Sequence, residues 1–301
     1  MEPVLMIFLD GVGIGEDDNN LNPFLKYGFN TFTELVGDIP TLRNQYLQGD
    51  GYYLTPVDAT LGVDGLPQSG TGQTSIFCGI NAAKYIGKHF GPYPYSTLIP
   101  VIQEKNIFSH FISIGKKAFF ANAYPRVFFE YIKSGKSRLS VTSLSARLSG
   151  LRLNSASDVR RGSALTAEIT NERWNKKLGY TLPVIKPKSA ARRLIRLAMK
   201  NDFTLYEYFL TDHLGHGRYD GDLQDTLKTL DEFLLTVLQE IDKSVATVII
   251  CSDHGNLEDL SVKTHTFNPT VFMTAGKHAE EVTGKVKDLT NIKGAITGIR
   301  G

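Results

Sequence analysis

Near its amino terminus the chain runs Val4-Leu5-Met6-Ile7-Phe8-Leu9-Asp10-Gly11-Val12-Gly13-Ile14-Gly15. Its first six residues are apolar without alternation, which predicts a strand buried on both faces, as in a mostly parallel sheet covered by helices. The carboxylate and glycines that follow predict a turn at the strand's carboxyl end, where open α/β sheets bind ligands. The glycine spacing is not that of a dinucleotide-binding loop. No Lys-Ser or Lys-Thr pair follows to make a nucleoside-triphosphate loop.

Working outward, apolar runs at 118–121, 204–210, 245–251 and 270–273 read as further strands. Leu223, Leu227, Leu230, Leu234, Val237, Leu238 and Ile241 recur at three- and four-residue spacing, the stripe of a helix packed on a sheet. The alternation predicts one α/β domain over residues 1–301. Residues 124–187 break the pattern, being rich in Ser, Arg and Lys, and read as a small basic cap inserted in that domain. Between Ser113 and Lys200 nineteen Lys and Arg stand against four acidic residues, although the whole chain carries a formal charge of only +2. An anionic substrate would be drawn to this region.

Cys78 and Cys251 are too few for a disulfide framework, and both lie in apolar surroundings that suit reduced thiols, so a cytoplasmic protein is expected. No basic leader with a cleavage site and no apolar span near about twenty residues is present, so neither a signal peptide nor a membrane partner is expected. The basic stretch lacks a stacking motif, a finger or a recognition helix, so nucleic acid is not the expected partner.

Polar residues close three of the apolar runs: Asp10 after the first, Asp212 after 206–211, and Asp253 with His254 after 245–251. Asp212 and His216 are four apart, and a single turn of the chain would aim both at one ion, although a helix cap followed by a surface histidine has the same letters. Gly255 permits a sharp turn after His254, and His265 supplies a third imidazole. In Leu66-Pro67-Gln68-Ser69-Gly70-Thr71-Gly72-Gln73-Thr74 small residues let the chain pass close to a metal and open a helix. Free N–H groups there, Gly70's among them, would bind a phosphate oxygen beside Ser69, while a serine at a plain helix N-cap reads the same way.

Taken in order, Asp10, Ser69 in its Leu-Pro-Gln-Ser-Gly-Thr-Gly-Gln setting, Asp212 with His216, Asp253-His254-Gly255-Asn256 and His265 resemble the alkaline phosphatase superfamily. The resemblance is closest to the branch of cofactor-independent phosphoglycerate mutase and phosphopentomutase, and it covers nearly all of the chain outside the cap. It implies a three-layer alkaline-phosphatase-like α/β sheet sandwiched by helices. It also implies two divalent metal ions, one held by Asp212, His216 and His265, the other by Asp10, Asp253, His254 and the Ser69 oxygen. Mixed carboxylate and imidazole ligands suit zinc or manganese. The interval to Cys78-Gly79 makes Ser69 the implied nucleophile, with Thr71 and Thr74 as rivals.

The chain departs from that branch at Gln73, where the two mutases carry histidine, and in the shortness of its cap. The proline and arginine that sulfatases need after the nucleophile are missing from Ser69-Gly70-Thr71-Gly72-Gln73. The expected activity is a metal-dependent phosphatase or phosphodiesterase acting on a small phosphorylated substrate through a phosphoserine. Arg126, Arg160 and Arg161 are the cap residues expected to grip phosphate, since guanidinium forks match its oxygens. A phosphomutase is the alternative implied by the resemblance and the Asp253-to-His265 spacing. A catalytically silent metal- and anion-binding protein is the other.

Overall fold

The computed structural model describes residues 2–136 and 138–299. Met1, Arg300 and Gly301 of the expected domain, and Ser137 of the expected cap, lie outside the described residues. Val4–Leu9 forms β1, and alternation along it serves two cores: Leu5, Ile7 and Leu9 enter one, Val4, Met6 and Phe8 the other. A strand with no polar face stays in place only when covered on both sides.

The other strands are β2 (Leu47–Gly49), β3 (Tyr52–Val57), β4 (Ala118–Phe120), β5 (Ala123–Tyr124), β6 (Asn154–Ser155), β7 (Phe203–Tyr208), β8 (Thr247–Ser252) and β9 (Thr270–Gly276). Seven of them make one sheet in the order β2-β3-β9-β8-β1-β7-β4. β1 pairs in parallel with β7 on one side and β8 on the other, Val4 standing opposite Phe203 and Thr247. β4 continues the parallel part, while β9, β3 and β2 run antiparallel.

One helical layer is built from the Leu223–Glu240 helix, through Leu227, Leu230, Leu234 and Val237, and from the Pro187–Ala198 helix, through Ala190 and Leu194. The opposite layer holds the Ser69–Cys78 helix, with Ile76 and Phe77, beside the Ile107–Ser113 and Asn291–Thr297 helices. The result is the three-layer α/β architecture expected from the sequence. β3 was not among the runs expected to be strands, and it contains Pro56. β2 pairs only with Tyr52, Tyr53 and Leu54, so Pro56 faces no neighbour on that side and its missing N–H costs no ladder bond.

The 124–187 stretch is divided in its packing. Its Val141–Leu148 helix sends Val141, Leu144 and Ala146 into the same core as Ile76 and Phe108, so this part belongs to a helical layer. β5 and β6 pair as a short ribbon, and beyond it Val159, Ala164, Trp174 and Leu182 close with Ala123 on a small core of their own.

Candidate active site

Four segments meet at the carboxyl end of the sheet's centre. β1 delivers Asp10, β8 delivers Asp253 and His254, and the Ser69–Cys78 helix opens with Ser69. The fourth differs from the sequence reading. The run 204–210 is not one strand: β7 stops at Tyr208 and a helix, Leu210–Gly215, begins two residues later. Asp212 therefore sits in the first turn of a helix rather than at a strand end. No glycine or proline marks the change, so apolarity alone could not reveal it.

One turn separates Asp212 from His216, and Asp212 Oδ1 lies 3.2 Å from His216 Nε2. His265 enters from the loop between β8 and β9, its Nε2 3.5 Å from the same oxygen and 3.1 Å from His216 Nε2. Each ring is fixed from behind, His265 Nδ1 at 2.6 Å from the Pro67 carbonyl and His216 Nδ1 at 2.7 Å from that of Lys263. With Nδ1–H donating to a carbonyl, both Nε2 atoms turn lone pairs toward a carboxylate and toward each other. Asn256 Nδ2 is the donor that reaches the Asp212 oxygen, at 2.8 Å, and the imidazole lone pairs beside it are left for a cation to satisfy.

The second group shares this wall, because the His254 and His265 rings stack at 3.7 Å. His254 Nε2 lies 3.0 Å from Ser69 Oγ, 3.3 Å from Asp10 Oδ1 and 3.6 Å from Asp253 Oδ2. Both of those carboxylate oxygens are buried without a hydrogen-bond partner. Their other oxygens are occupied: Gln73 Nε2 donates to Asp10 at 3.3 Å and the Gly11 N–H to Asp253 at 3.3 Å. Two triplets, Asp212 with His216 and His265, and Asp10 with Asp212 and His254, offer atoms within 4.8 Å of one another.

The charge balance points the same way. Among the described residues no Lys or Arg pairs with Asp10, Asp212 or Asp253; histidines are their only basic neighbours. Burying unpaired carboxylates costs several kcal/mol each. Burial, then repulsion from Asp253 and Asp212, pushes Asp10 well above the usual carboxylate range, a penalty that a nearby cation would relieve. Burial works on Asp212 too, but the imidazoles of His216 and His265 close beside it outweigh burial and hold Asp212 well below that range. Asp212 in turn raises His216. These residues fit divalent cations by donor type, by geometry and by charge.

Ser69 is the first helical residue and Gln68 its N-cap, so the serine is not the capping group. Thr71 Oγ1 donates to the Gln68 carbonyl and Thr74 Oγ1 to that of Gly70, leaving Ser69 as the hydroxyl that faces His254. The Ser69 and Gly70 N–H groups meet no acceptor among the described residues, as expected at a helix start. Gly72 is needed for closeness: a Cβ there would stand 2.8 Å from the Asp253 carbonyl oxygen.

The cap arginines are engaged elsewhere. Arg126 pairs with Glu130 on its own helix, and Arg161 joins Arg152 on Asp158. Arg160 is exposed, and among the described residues no hydrogen bond or salt bridge joins any of the three to Ser69 or the metal-type residues.

Three supporting residues escaped the sequence reading. Asn256 Nδ2 donates to Asp212 Oδ1 at 2.8 Å and so aims that carboxylate. Glu258, fully buried, takes the Gly13 N–H at 2.9 Å, the Asn256 N–H at 2.7 Å, the Thr266 hydroxyl and Asn268 Nδ2 at 3.1 Å. It ties together the three loops that carry Asp10, His254 and His265. Glu207, inside β7, is buried, and burial pushes its carboxyl up to about 7. An acid within an apolar strand was the signal that could have found it; nothing distinguished Glu258 from a surface acid.

A family model described as the metalloenzyme superfamily matches residues 2–299. No curated protein matches the chain. Among solved structures, the PH0037 protein from Pyrococcus horikoshii superposes with a TM-score of 0.56 at 13% identity, covering 100% of this chain and 98% of that one. Alkaline phosphatase from the Antarctic bacterium TAB5 gives 0.52 at 13% identity, covering 99% and 97%. A protein in the alkaline phosphatase superfamily from Vibrio parahaemolyticus gives 0.51 at 12%, covering 99% of this chain and 66% of that one. At these identities the likeness is one of fold.

Proposed function

The chain belongs to the metalloenzyme superfamily, and from that premise we propose that it is a phosphatase or phosphodiesterase for a small phosphorylated substrate, with Ser69 as nucleophile. One observation carries the reading: a buried serine hydroxyl stands 3.0 Å from His254 Nε2, beside two buried carboxylate oxygens that have no partner. Asp212, His216 and His265 would hold one cation and Asp10, Asp253, His254 and Ser69 the other, zinc or manganese by donor type. When bound, the cations supply Lewis-acid charge for phosphoryl oxygens and lower the pKa of a nearby hydroxyl.

The chain's own residues do the rest. His254 Nε2 has one lone pair and cannot both hold a cation and accept a proton, so with a cation bound it would not be the base for Ser69. Ser69 Oγ gives up its proton and forms a bond to phosphorus, the P–O ester bond breaks, and its electron pair leaves on the alcohol oxygen, which takes up a proton so that none is gained or lost overall. The free Ser69 and Gly70 N–H groups are placed to bind the phosphoryl oxygens during that transfer. Water then releases phosphate from the phosphoserine. The part of the 124–187 segment outside the Val141–Leu148 helix would serve as a short cap over a cytoplasmic enzyme, with Arg126, Arg160 and Arg161 reaching substrate only after leaving their present surroundings.

The test is turnover of an aryl phosphate and an aryl phosphodiester by zinc- or manganese-loaded protein, with intact-mass detection of a phosphorylated serine. Ser69→Ala is expected to lose the covalent species and at least about a thousandfold in kcat. Unchanged turnover in that variant would overturn the mechanism. Isomerisation of sugar phosphates without free phosphate would make the enzyme a phosphomutase instead.

A further inference from the structure

A cavity of about 270 Å³ opens beside the Leu210–Gly215 helix, and the mechanism above makes no use of it. Tyr124, Trp174, Leu178, Phe209 and Leu210 form its walls, together with His213. His213 follows Asp212 directly, and contacts of 3.0 Å (Ser69 to His254), 3.7 Å (His254 to His265) and 3.5 Å (His265 to Asp212) lead back to the nucleophile. The space lies just past the carboxyl ends of β4 and β7, the same edge of the sheet at which β1 presents Asp10.

The chemistry of the walls is selective. Four aromatic rings, those of Tyr124, Trp174, Phe209 and His213, among thirteen lining residues favour a flat, polarisable group, since rings stack offset or edge to face at a gain of roughly 0.5–1.5 kcal/mol per pair beyond area burial. The volume lies near the lower end of small-molecule pockets, roughly 300–1,000 Å³, which is room for one ring system and little else. The charged rim does not ask for a second anion. Arg173 and Lys177 both bond to Asp220, and the Glu168 carboxylate accepts the Arg173 and Trp174 N–H groups. His213 is different: its ring nitrogens have no hydrogen-bond partner among the described residues, and its ring lies 5.3 Å from that of Phe209. An edge with a donor or acceptor would find it.

Resting on the phosphoryl-transfer reading, we propose that this cavity binds a flat aromatic group on the alcohol side of the substrate, so that the enzyme prefers aryl-bearing or nucleobase-bearing phosphoesters to plain alkyl or sugar phosphates. Two pairs of substrates separate the sources, each pair matched in the kind of alcohol that leaves: AMP against ribose 5-phosphate, and 2-phenylethyl phosphate against ethyl phosphate. With the metal-loaded enzyme, kcat/KM is expected to be about 10- to 100-fold higher for the aromatic member of at least one pair, and the pair that shows it identifies the source. Phe209→Ala is expected to bring that ratio close to one. Leu178→Glu, at a 45% exposed position that a charge can occupy without unfolding the chain, is expected to do the same.

Trp174 is the sole tryptophan, so its fluorescence reads the cavity without any turnover. AMP or 2-phenylethyl phosphate is expected to change it saturably, and ribose 5-phosphate and ethyl phosphate to leave it unchanged. Neither aromatic ligand altering the signal at millimolar concentration, or equal kcat/KM within both pairs, would overturn the assignment. Saturable binding without turnover of any ester would sink the phosphoryl-transfer reading and leave the aromatic cavity standing.

Discussion

Replacing Glu258 separates the carboxylate's role as an anchor from any role in charge. It accepts four hydrogen bonds in full burial, and two of the donors, the Gly13 and Asn256 N–H groups, belong to backbone that cannot turn away. A buried donor left unpaired costs roughly 1–3 kcal/mol, so Glu258→Ala is expected to lose about 3–5 kcal/mol once the strands of hydrogen bonds from Thr266 and Asn268 are also lost. Glu258→Gln keeps one oxygen for the two backbone groups. Its amide would face Thr266 Oγ1 and Asn268, whose hydroxyl and amide can rotate to accept, and the expected loss is about 1–2 kcal/mol. Urea unfolding in the presence of a chelator measures both without counting metal binding. Glu258→Ala within about 1 kcal/mol of the parent, or Glu258→Gln as damaging as Ala, would refute the reasoning.

Glu207 has a folded pKa of about 7 against 4.5 for the free side chain. A raised pKa means its contribution is full below pH 4.5 and lost as pH rises through 7, so chelated protein should lose up to about 3 kcal/mol from this group by pH 8, and Glu207→Gln should flatten that slope in urea titrations. Asn256→Ala frees the Asp212 carboxylate and is expected to weaken metal affinity about 10- to 100-fold, read by competition with a chromogenic chelator. Gly72→Ala drives a methyl against the Asp253 carbonyl and should cost about 1–3 kcal/mol together with most of the activity; Gly284→Ala, in open space on a helix, should instead stabilise by about 0.5–1 kcal/mol in the same thermal melts.

The centre of this fold could be read because its residues are chemically uniform. β1, β8 and the Leu223–Glu240 helix declare themselves by apolar runs and a three-four stripe, which depend on burial alone. Asp10, Asp253 and His254 were readable for the same reason, as polar groups where an apolar run stops. β3 was not among the expected strands, and the tolerance of its Pro56 depends on where β2 ends. Asp212 was found, but its helix was not, because Leu210 and Thr211 suit a strand as well as a helix. Residues whose task is to hold others, such as Glu258 and Asn256, depend on loops that approach only in three dimensions. Asn256 stood inside the Asp253-His254-Gly255-Asn256 motif without a role, and no local pattern marks Glu258. The cap arginines show the converse: their charge was visible, but their partners Glu130 and Asp158 were not weighed.

β1 pairs on both sides with strands made much later, Val4 meeting Phe203 and Thr247. At synthesis rates of about 5–20 residues per second, a ribosome needs roughly 10–40 s to reach the first of these partners. Throughout that interval six consecutive apolar residues have neither neighbouring strand and are open to pairing with other nascent chains. The segment that organises the finished molecule is therefore also its greatest hazard during birth. Chaperone capture of the amino-terminal third, rather than any late step, is where the yield of folded protein should be decided.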